Sequence, residues 1–200
     1  MVSREKKLLA SVYVETLSGK PATLEGISRR TGLGIPETRA ALNTLARNGL
    51  LKGKAHVGLT PKGRRKLKVV FIGGGFEVIH PGHLHTIKAA RRLGDVLVVV
   101  VARDSTIRKR KGREPVSTES QRVELLSSLR EVDAAIMGTT GDIYETLAKV
   151  SPDVVALGYD QHHNENDVLT ESEKRGLKVQ VVRVESPVPW VKTSKILELA

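Results

Sequence analysis

The sequence predicts an α/β protein: a doubly wound parallel sheet over residues 68–200, preceded by a small basic helical domain over residues 1–67. Three observations predict it. From position 69 onward, five apolar runs alternate with segments of helical periodicity, the pattern of a parallel sheet with helices on both faces. The excess of Lys and Arg lies entirely before that point. The first apolar run leads into Gly73-Gly74-Gly75-Phe76-Glu77-Val78-Ile79-His80-Pro81-Gly82-His83, a glycine-rich turn with two histidines where strand meets helix.

The charge division is complete. Residues 1–68 hold 15 Lys and Arg against 4 Asp and Glu, which is the whole formal charge of +11, while residues 69–200 hold 18 of each. Such asymmetry points to two domains and to a polyanion as partner of the first. The lack of Cys excludes a disulfide framework and thiolate metal sites. No apolar run approaches the roughly 18 residues of a membrane span, and the charged start does not read as a secretion signal. The expectation is a cytoplasmic protein with no membrane partner. Aromatics make up only 3%, so core packing falls to Val, Leu, Ile and Ala.

In the basic domain, Leu8, Leu9, Val12, Val14 and Leu17 recur at close to helical spacing, and Ser18-Gly19-Lys20-Pro21 stops that first helix. Thr23 caps a second helix, with Leu24 and Ile27 behind it and a turn at Thr31-Gly32-Leu33-Gly34. Pro36 suits the first turn of a third. There Ile35, Thr38, Ala41, Leu42, Leu45 and Ala46 share one face, and Asn48-Gly49 ends the helix. Arg39, Asn43 and Arg47 recur every four residues on another face. Residues 50–59 read as a hairpin and 60–67 as a basic helical connector. Helix, helix–turn–helix and two-stranded wing resemble the winged-helix family. That resemblance implies duplex DNA as partner, with Arg39, Asn43 and Arg47 reaching into the major groove and Arg29, Arg30, Lys52 and Lys54 on phosphates. The alternative is a dimerisation or lid module whose charges are merely solvated; the segregated charge favours nucleic acid.

In the remainder, residues 69–72, 96–102, 134–137, 154–157 and 179–184 read as strands, and 84–93, 120–129, 143–149, 167–175 and 194–199 as helices. Ligands of such sheets sit at the carboxyl ends of the strands, where strand order reverses. The candidate motifs fall there. The glycine turn follows strand one, Arg103-Asp104-Ser105 strand two and Gly158-Tyr159-Asp160-Gln161 strand four. Thr193-Ser194-Lys195 opens the last helix.

Glycines let backbone amides approach a ligand closely, and a helix N-terminus favours phosphate. Two imidazoles at that point can donate to the same phosphoryl oxygens, so the site reads as one for phosphoryl or nucleotidyl transfer. The glycines fail the dinucleotide fingerprint, since Val78 holds the third glycine position, and no P-loop Gly-Lys-Ser/Thr follows. Arg108-Lys109-Arg110-Lys111-Gly112-Arg113 reads as a cationic loop that can fold over a triphosphate. His162 and His163, beside Asn164, Glu165 and Asp167, show no recurring ligand spacing and read as an exposed polar loop.

The glycine–histidine stretch is similar to the Gly-Thr-Phe-Asp-x-x-His-x-Gly-His of the HIGH-motif nucleotidyltransferases, in their cytidylyltransferase-like branch. Across residues 69–200, "VVVARDSTIRKRKGREPV", "QRVELLSSLREVDAAIMG", "PDVVALGYDQ" and "TSKILE" look like the archaeal FAD synthetases, which adenylylate FMN. The resemblance implies a Rossmann-like sheet and Mg2+-dependent transfer of AMP from ATP to FMN. It implies catalytic roles for His80, His83, Lys109 and Arg113. Around the nucleotide it implies Gly74, Gly75, Phe76, Glu77, Gly82, Arg103, Asp104, Gly158, Tyr159, Asp160, Gln161, Thr193, Ser194 and Lys195. Two departures stand out: Gly74 is read in place of the usual Thr, and Glu77 replaces Asp. Two alternatives remain open. One is a cytidylyltransferase joining CMP from CTP to a phospho-alcohol such as glycerol phosphate. The other is a DNA-binding regulator whose α/β domain senses a nucleotide or flavin without turnover. A homodimer is expected, since both kinds of domain often pair.

Overall fold

In a computed structural model of the chain, the residues described are 3–17, 19, 21–53, 57–159, 161, 163–186, 188, 190–191 and 193–198. The chain divides into two units, Met1–Lys68 and Val69–Ala200. No helix of the described residues is long and apolar enough to cross a membrane.

The N-terminal unit runs α1 (Arg4–Leu17), α2 (Leu24–Thr31), α3 (Ile35–Arg47), β1 (Leu51–Lys52), β2 (Gly58–Leu59) and α4 (Pro61–Arg64). Helix α1 buries Leu8, Leu9, Val12, Val14 and Leu17 as its spacing requires. The Thr23 hydroxyl accepts from the Gly26 N–H at 3.0 Å and fixes the start of α2. At α3 the Glu37 carboxylate accepts from the Gly34 N–H at 3.1 Å, and Thr38, Leu42 and Leu45 turn inward. Ile35 and Ala46, expected on the same face, are exposed at the two ends of that helix. Strands β1 and β2 pair antiparallel, Leu51 opposite Leu59, and Ala22 adds an antiparallel bridge to Val57.

The C-terminal unit runs β3 (Val69–Gly74), α5 (Pro81–Arg91), β4 (Val96–Val101), α6 (Asp104–Lys111), α7 (Glu119–Ser127), β5 (Ala134–Met137), α8 (Ile143–Val150), β6 (Val154–Gly158), α9 (Glu165–Lys174), β7 (Gln180–Val184) and α10 (Thr193–Glu198). Its strands form one parallel sheet in the order β5-β4-β3-β6-β7. Every residue of β4 is buried, as a strand covered on both faces must be. On one face Val70, Ile72, Leu97, Val99 and Val101 pack with Ile87 and Ala90 of α5 and Leu126 of α7. At the amino edge, the Asp133 and Asp153 carboxylates accept from the Leu97 and Val69 N–H groups at 2.7 Å each. The strand order reverses between β3 and β6, so the crevice for a ligand opens at their carboxyl ends.

Two expectations are corrected. Residues 108–111 are not loop but the last turn of α6, which Gly112 closes in the left-handed conformation, its N–H on the Arg108 carbonyl at 2.9 Å. Ile107 anchors that helix in the interior, and cations suit the negative end of its dipole. Helix α5 begins at Pro81 rather than near residue 84, so His83 lies within its first turn.

A glycine sets the tightest contact of the N-terminal unit. A Cβ on Gly63 would stand 2.1 Å from the Leu50 carbonyl oxygen. Gly63→Ala is expected to destabilise this unit by about 1–3 kcal/mol, the cost of overpacking against backbone. Gly58→Ala, whose Cβ meets only the Lys52 side chain at 3.9 Å, serves as the near-neutral control in urea titrations of both.

Candidate active site

The carboxyl end of β3 turns sharply because Phe76 takes a left-handed conformation, φ +51°. Its ring folds back into the core and lies over Gly74, where a Cβ would meet it at 2.9 Å. The same ring approaches His83 at 5.1 Å. Aligning Phe76-Glu77 with the Phe-Asp of the nucleotidyltransferase motif moves the missing Thr from Gly74 to Gly75. Space agrees: a Cβ on Gly75 meets only Ile107 at 3.9 Å, whereas position 74 has no room for one.

His80 is the N-cap residue of α5 and His83 sits one turn in, and their rings stack at 3.9 Å with 28° between planes. Gly82 makes this possible. A Cβ there would be 3.1 Å from the His80 ring, and 3.5 Å from the carbonyl oxygen of Val191. The segment leading into α10 therefore reaches the histidine turn.

Glu77 is the acid of the site, and its side chain has no exposed surface. It accepts from Lys111 at 2.5 Å, from Arg113 at 2.8 and 3.1 Å, and from the Val116 N–H at 3.4 Å. Burial works against its charge, but the bonds from Arg113 and Lys111 outweigh that and hold the carboxyl below its ordinary pKa. An Asp would fall a methylene short of these partners. The basic run is thus pinned at one point to the glycine turn. Lys109 is exposed.

Arg103 and Asp104 follow β4 as expected, but both side chains hold structure together. Arg103 donates to the Gly138 carbonyl and to Glu119, each at 2.6 Å. Burial opposes the charge of Glu119 too, yet the Asp104 N–H and Arg103 hold its pKa down. Asp104 accepts at 2.5 Å from Arg122, a guanidinium only 1% exposed that also donates to the carbonyls of Gly75, Ala102 and Ser117. Gln161 bridges the crevice itself: its amide donates to the Gly73 carbonyl at 2.6 Å and accepts from the Gly158 N–H at 3.2 Å. Arg183 of β7 donates to the carbonyls of Gly158, Gln161 and His163, shaping the loop after β6. Tyr159 and Thr193 are half-buried there and Lys195 is exposed, while Asp160, the Ser194 side chain and Lys54 lie outside the described residues. Sequence reading missed Arg122, Glu119, Arg183 and the role of Lys111, since a single charged residue carries no local signal of a partner distant in sequence.

In the N-terminal unit, Arg29, Arg39, Asn43, Arg47 and Lys52 are exposed. Arg30 pairs with Glu15 at 2.8 Å, so its charge is partly taken.

The cytidylyltransferase-like family model matches residues 71–199. The FAD synthase of Pyrococcus horikoshii is 42% identical over 141 residues, 67% of this chain and 92% of that protein. The FAD synthase of Thermococcus kodakarensis is 41% identical over 142 residues, 68% of this chain and 92% of that protein. Among solved structures, the lipopolysaccharide core biosynthesis protein from Thermoplasma volcanium superposes with a TM-score of 0.58 at 42% identity, over 60% of this chain and 98% of that one.

Glu77 also gives the site an acid limit. Its pKa is lower folded than unfolded, so as pH falls the unfolded chain takes up the proton first. Its stabilisation is complete above the ordinary carboxylate value of about 4.3 and is lost as pH falls through the lower folded value. The urea midpoint of the C-terminal unit is expected to drop below about pH 5. Glu77→Gln should flatten part of that slope and leave the share of Glu119, which has the same sign.

Proposed function

We infer the reaction from kinship and geometry together: the chain belongs to the cytidylyltransferase-like family, and within it to the FAD synthases. It is a nucleotidyltransferase that joins AMP from ATP to FMN, giving FAD and pyrophosphate. The observation that supports this reading best is the stacked His80–His83 pair at the start of α5, beside a glycine turn at the point where strand order reverses.

The FMN phosphate attacks the α-phosphate of ATP in line, and pyrophosphate leaves. The attacking phosphate is already ionised, so no strong base is required, and positioning with charge neutralisation supplies the rate. His80 and His83 hold the α- and β-phosphate oxygens as charge develops. Gly75 leaves room for backbone approach to the nucleotide, while Gly74 and Gly82 admit the Phe76 and His80 rings that shape the turn. Lys109 and Arg113 neutralise the triphosphate, Arg113 being steadied by Glu77. Tyr159, Thr193 and Lys195 are assigned around the nucleotide, and Asp160 and Ser194 join them on the sequence alone. Mg2+ would arrive with the nucleotide as MgATP and would neutralise part of the triphosphate charge. The nearby acids Glu77, Asp104 and Glu119 are already engaged by Arg or Lys. The cytoplasm, where ATP is at hand, is the setting we propose, with a homodimer as the assembly.

For the N-terminal unit we propose duplex DNA. Residues 38–68 carry nine Lys and Arg and no Asp or Glu. Of the four acids ahead of them, Glu15 is paired with Arg30 and Glu37 caps α3. The exposed Arg39, Asn43 and Arg47 recur every four positions along α3, a helix of groove-reading size, and Lys62 of α4 is exposed as well.

His80→Ala and His83→Ala should each lower kcat by about 10²–10³ in pyrophosphate release with MgATP and FMN. Near-normal turnover in both would remove the assignment. Crossing ATP and CTP against FMN and glycerol phosphate separates the flavin reading from the cytidylyl one. DNA binding should weaken steeply with salt, and Arg39→Ala or Arg47→Ala should each reduce the log–log slope by about 1. Binding insensitive to salt, or none, would leave the unit without this role.

A further inference from the structure

Trp190 is the single tryptophan of the chain and stands 63% exposed. The protein has six aromatics, and Trp190 is the exposed one. Phe71, Phe76 and Tyr13 are buried, and Tyr144 lies under the guanidinium of Arg175. Among the described residues no ring or cation contact engages Trp190. Leaving an indole in water forgoes the gain of burying it, and its place is not arbitrary. It follows β7, at the carboxyl edge of the sheet that carries the histidine turn. Its neighbour Val191 donates to the Val188 carbonyl at 3.0 Å, closing a turn, and directs its own carbonyl at Gly82. Trp190 is therefore held one residue from the point where the α10 segment meets the histidines.

Building on the flavin reading, we infer that Trp190 is the stacking platform for the planar ring system of the acceptor, the isoalloxazine of FMN. The chemistry fits this ligand. An indole face is electron-rich and the flavin ring is electron-poor, wide and uncharged, so it stacks well and needs no specific hydrogen bond. The ribityl chain separates that ring from the reacting phosphate, and Trp190 is one residue removed from Val191, whose carbonyl faces Gly82. On the same reading the adenine of ATP goes to the loop after β6, whose shape Gln161 and Arg183 fix. A phospho-alcohol has no ring to stack, so Trp190 is also a specificity determinant between the two acceptor classes.

Because Trp190 is the only indole, its fluorescence reports the contact directly in the full chain. FMN and riboflavin should quench it strongly, against a free-tryptophan control for absorbed light, and MgATP alone should not. Trp190→Ala, at an exposed position, should keep the fold and raise KM for FMN about tenfold, with kcat and KM for ATP little changed, a loss in the range of one aromatic stack. Trp190→Phe should recover most of it. FMN binding by equilibrium dialysis without quenching, quenching by MgATP instead, or an unchanged KM for FMN in Trp190→Ala overturns the inference alone. Absence of FMN binding to the unaltered chain overturns the flavin reading and this inference with it.

Discussion

The buried guanidinium of Arg122 is the interaction on which the site depends. One side chain ties the glycine turn after β3, the end of β4 and the loop ahead of α7, through the carbonyls of Gly75, Ala102 and Ser117 and the carboxylate of Asp104. A cation this deep is tolerable only when each of its donors is met. That condition makes the three loops a unit, since moving any one leaves charge or carbonyl unpaired. The glycine turn needs such a tie. Its strand has ended, its Phe76 is in a left-handed conformation, and its glycines supply no side chains for packing. Removing one partner of a buried ionic cluster of this kind costs about 3–5 kcal/mol, more than the turn's own contacts offer.

Similar ties recur around the crevice. Gln161 fastens the β6 loop to β3, Arg183 fastens that loop to β7, and Arg103 joins the β4 and β5 loops. The sheet below is apolar and continuous, whereas its carboxyl edge is held by side chains donating to carbonyls. Loops that carry ligands cannot be filled with Val and Leu, because the ligand must displace water from them and not protein. Hydrogen bonds to backbone fix shape without closing the opening.

The strands were legible because burial on both faces forces continuous apolar runs, and β4, Val96-Leu97-Val98-Val99-Val100-Val101, admits no other reading. The histidine turn was legible because its members are neighbours in sequence. What escaped was long-range. Glu77 meets Lys111 and Arg113 across more than thirty residues, Arg122 reaches back 47 to Gly75, and Gln161 reaches 88 to Gly73. No local pattern encodes such pairs. The basic run was misread as loop for a related reason: five cations in six positions look like a solvated segment. The helix is decided by Ile107, anchored inside, and by Gly112, which can take the left-handed cap.

That helix also sorts its cations. Arg108 faces Glu114, while Lys111 and Arg113 share Glu77. For Lys109 and Arg110 no acidic partner stands among the described residues. On the proposed reading, two kinds of cation would therefore meet an incoming triphosphate. Lys109 and Arg110 offer full charge but must be gathered from solvent, at the cost of side-chain freedom. Lys111 and Arg113 are ordered in advance, though their field is partly spent on a buried carboxylate. A transition state gains most from groups that need no reorganisation, so the paired Arg113 suits the reacting phosphate. The unpaired lysine and arginine suit capture of the polyanion from solution, where charge acts at longer range.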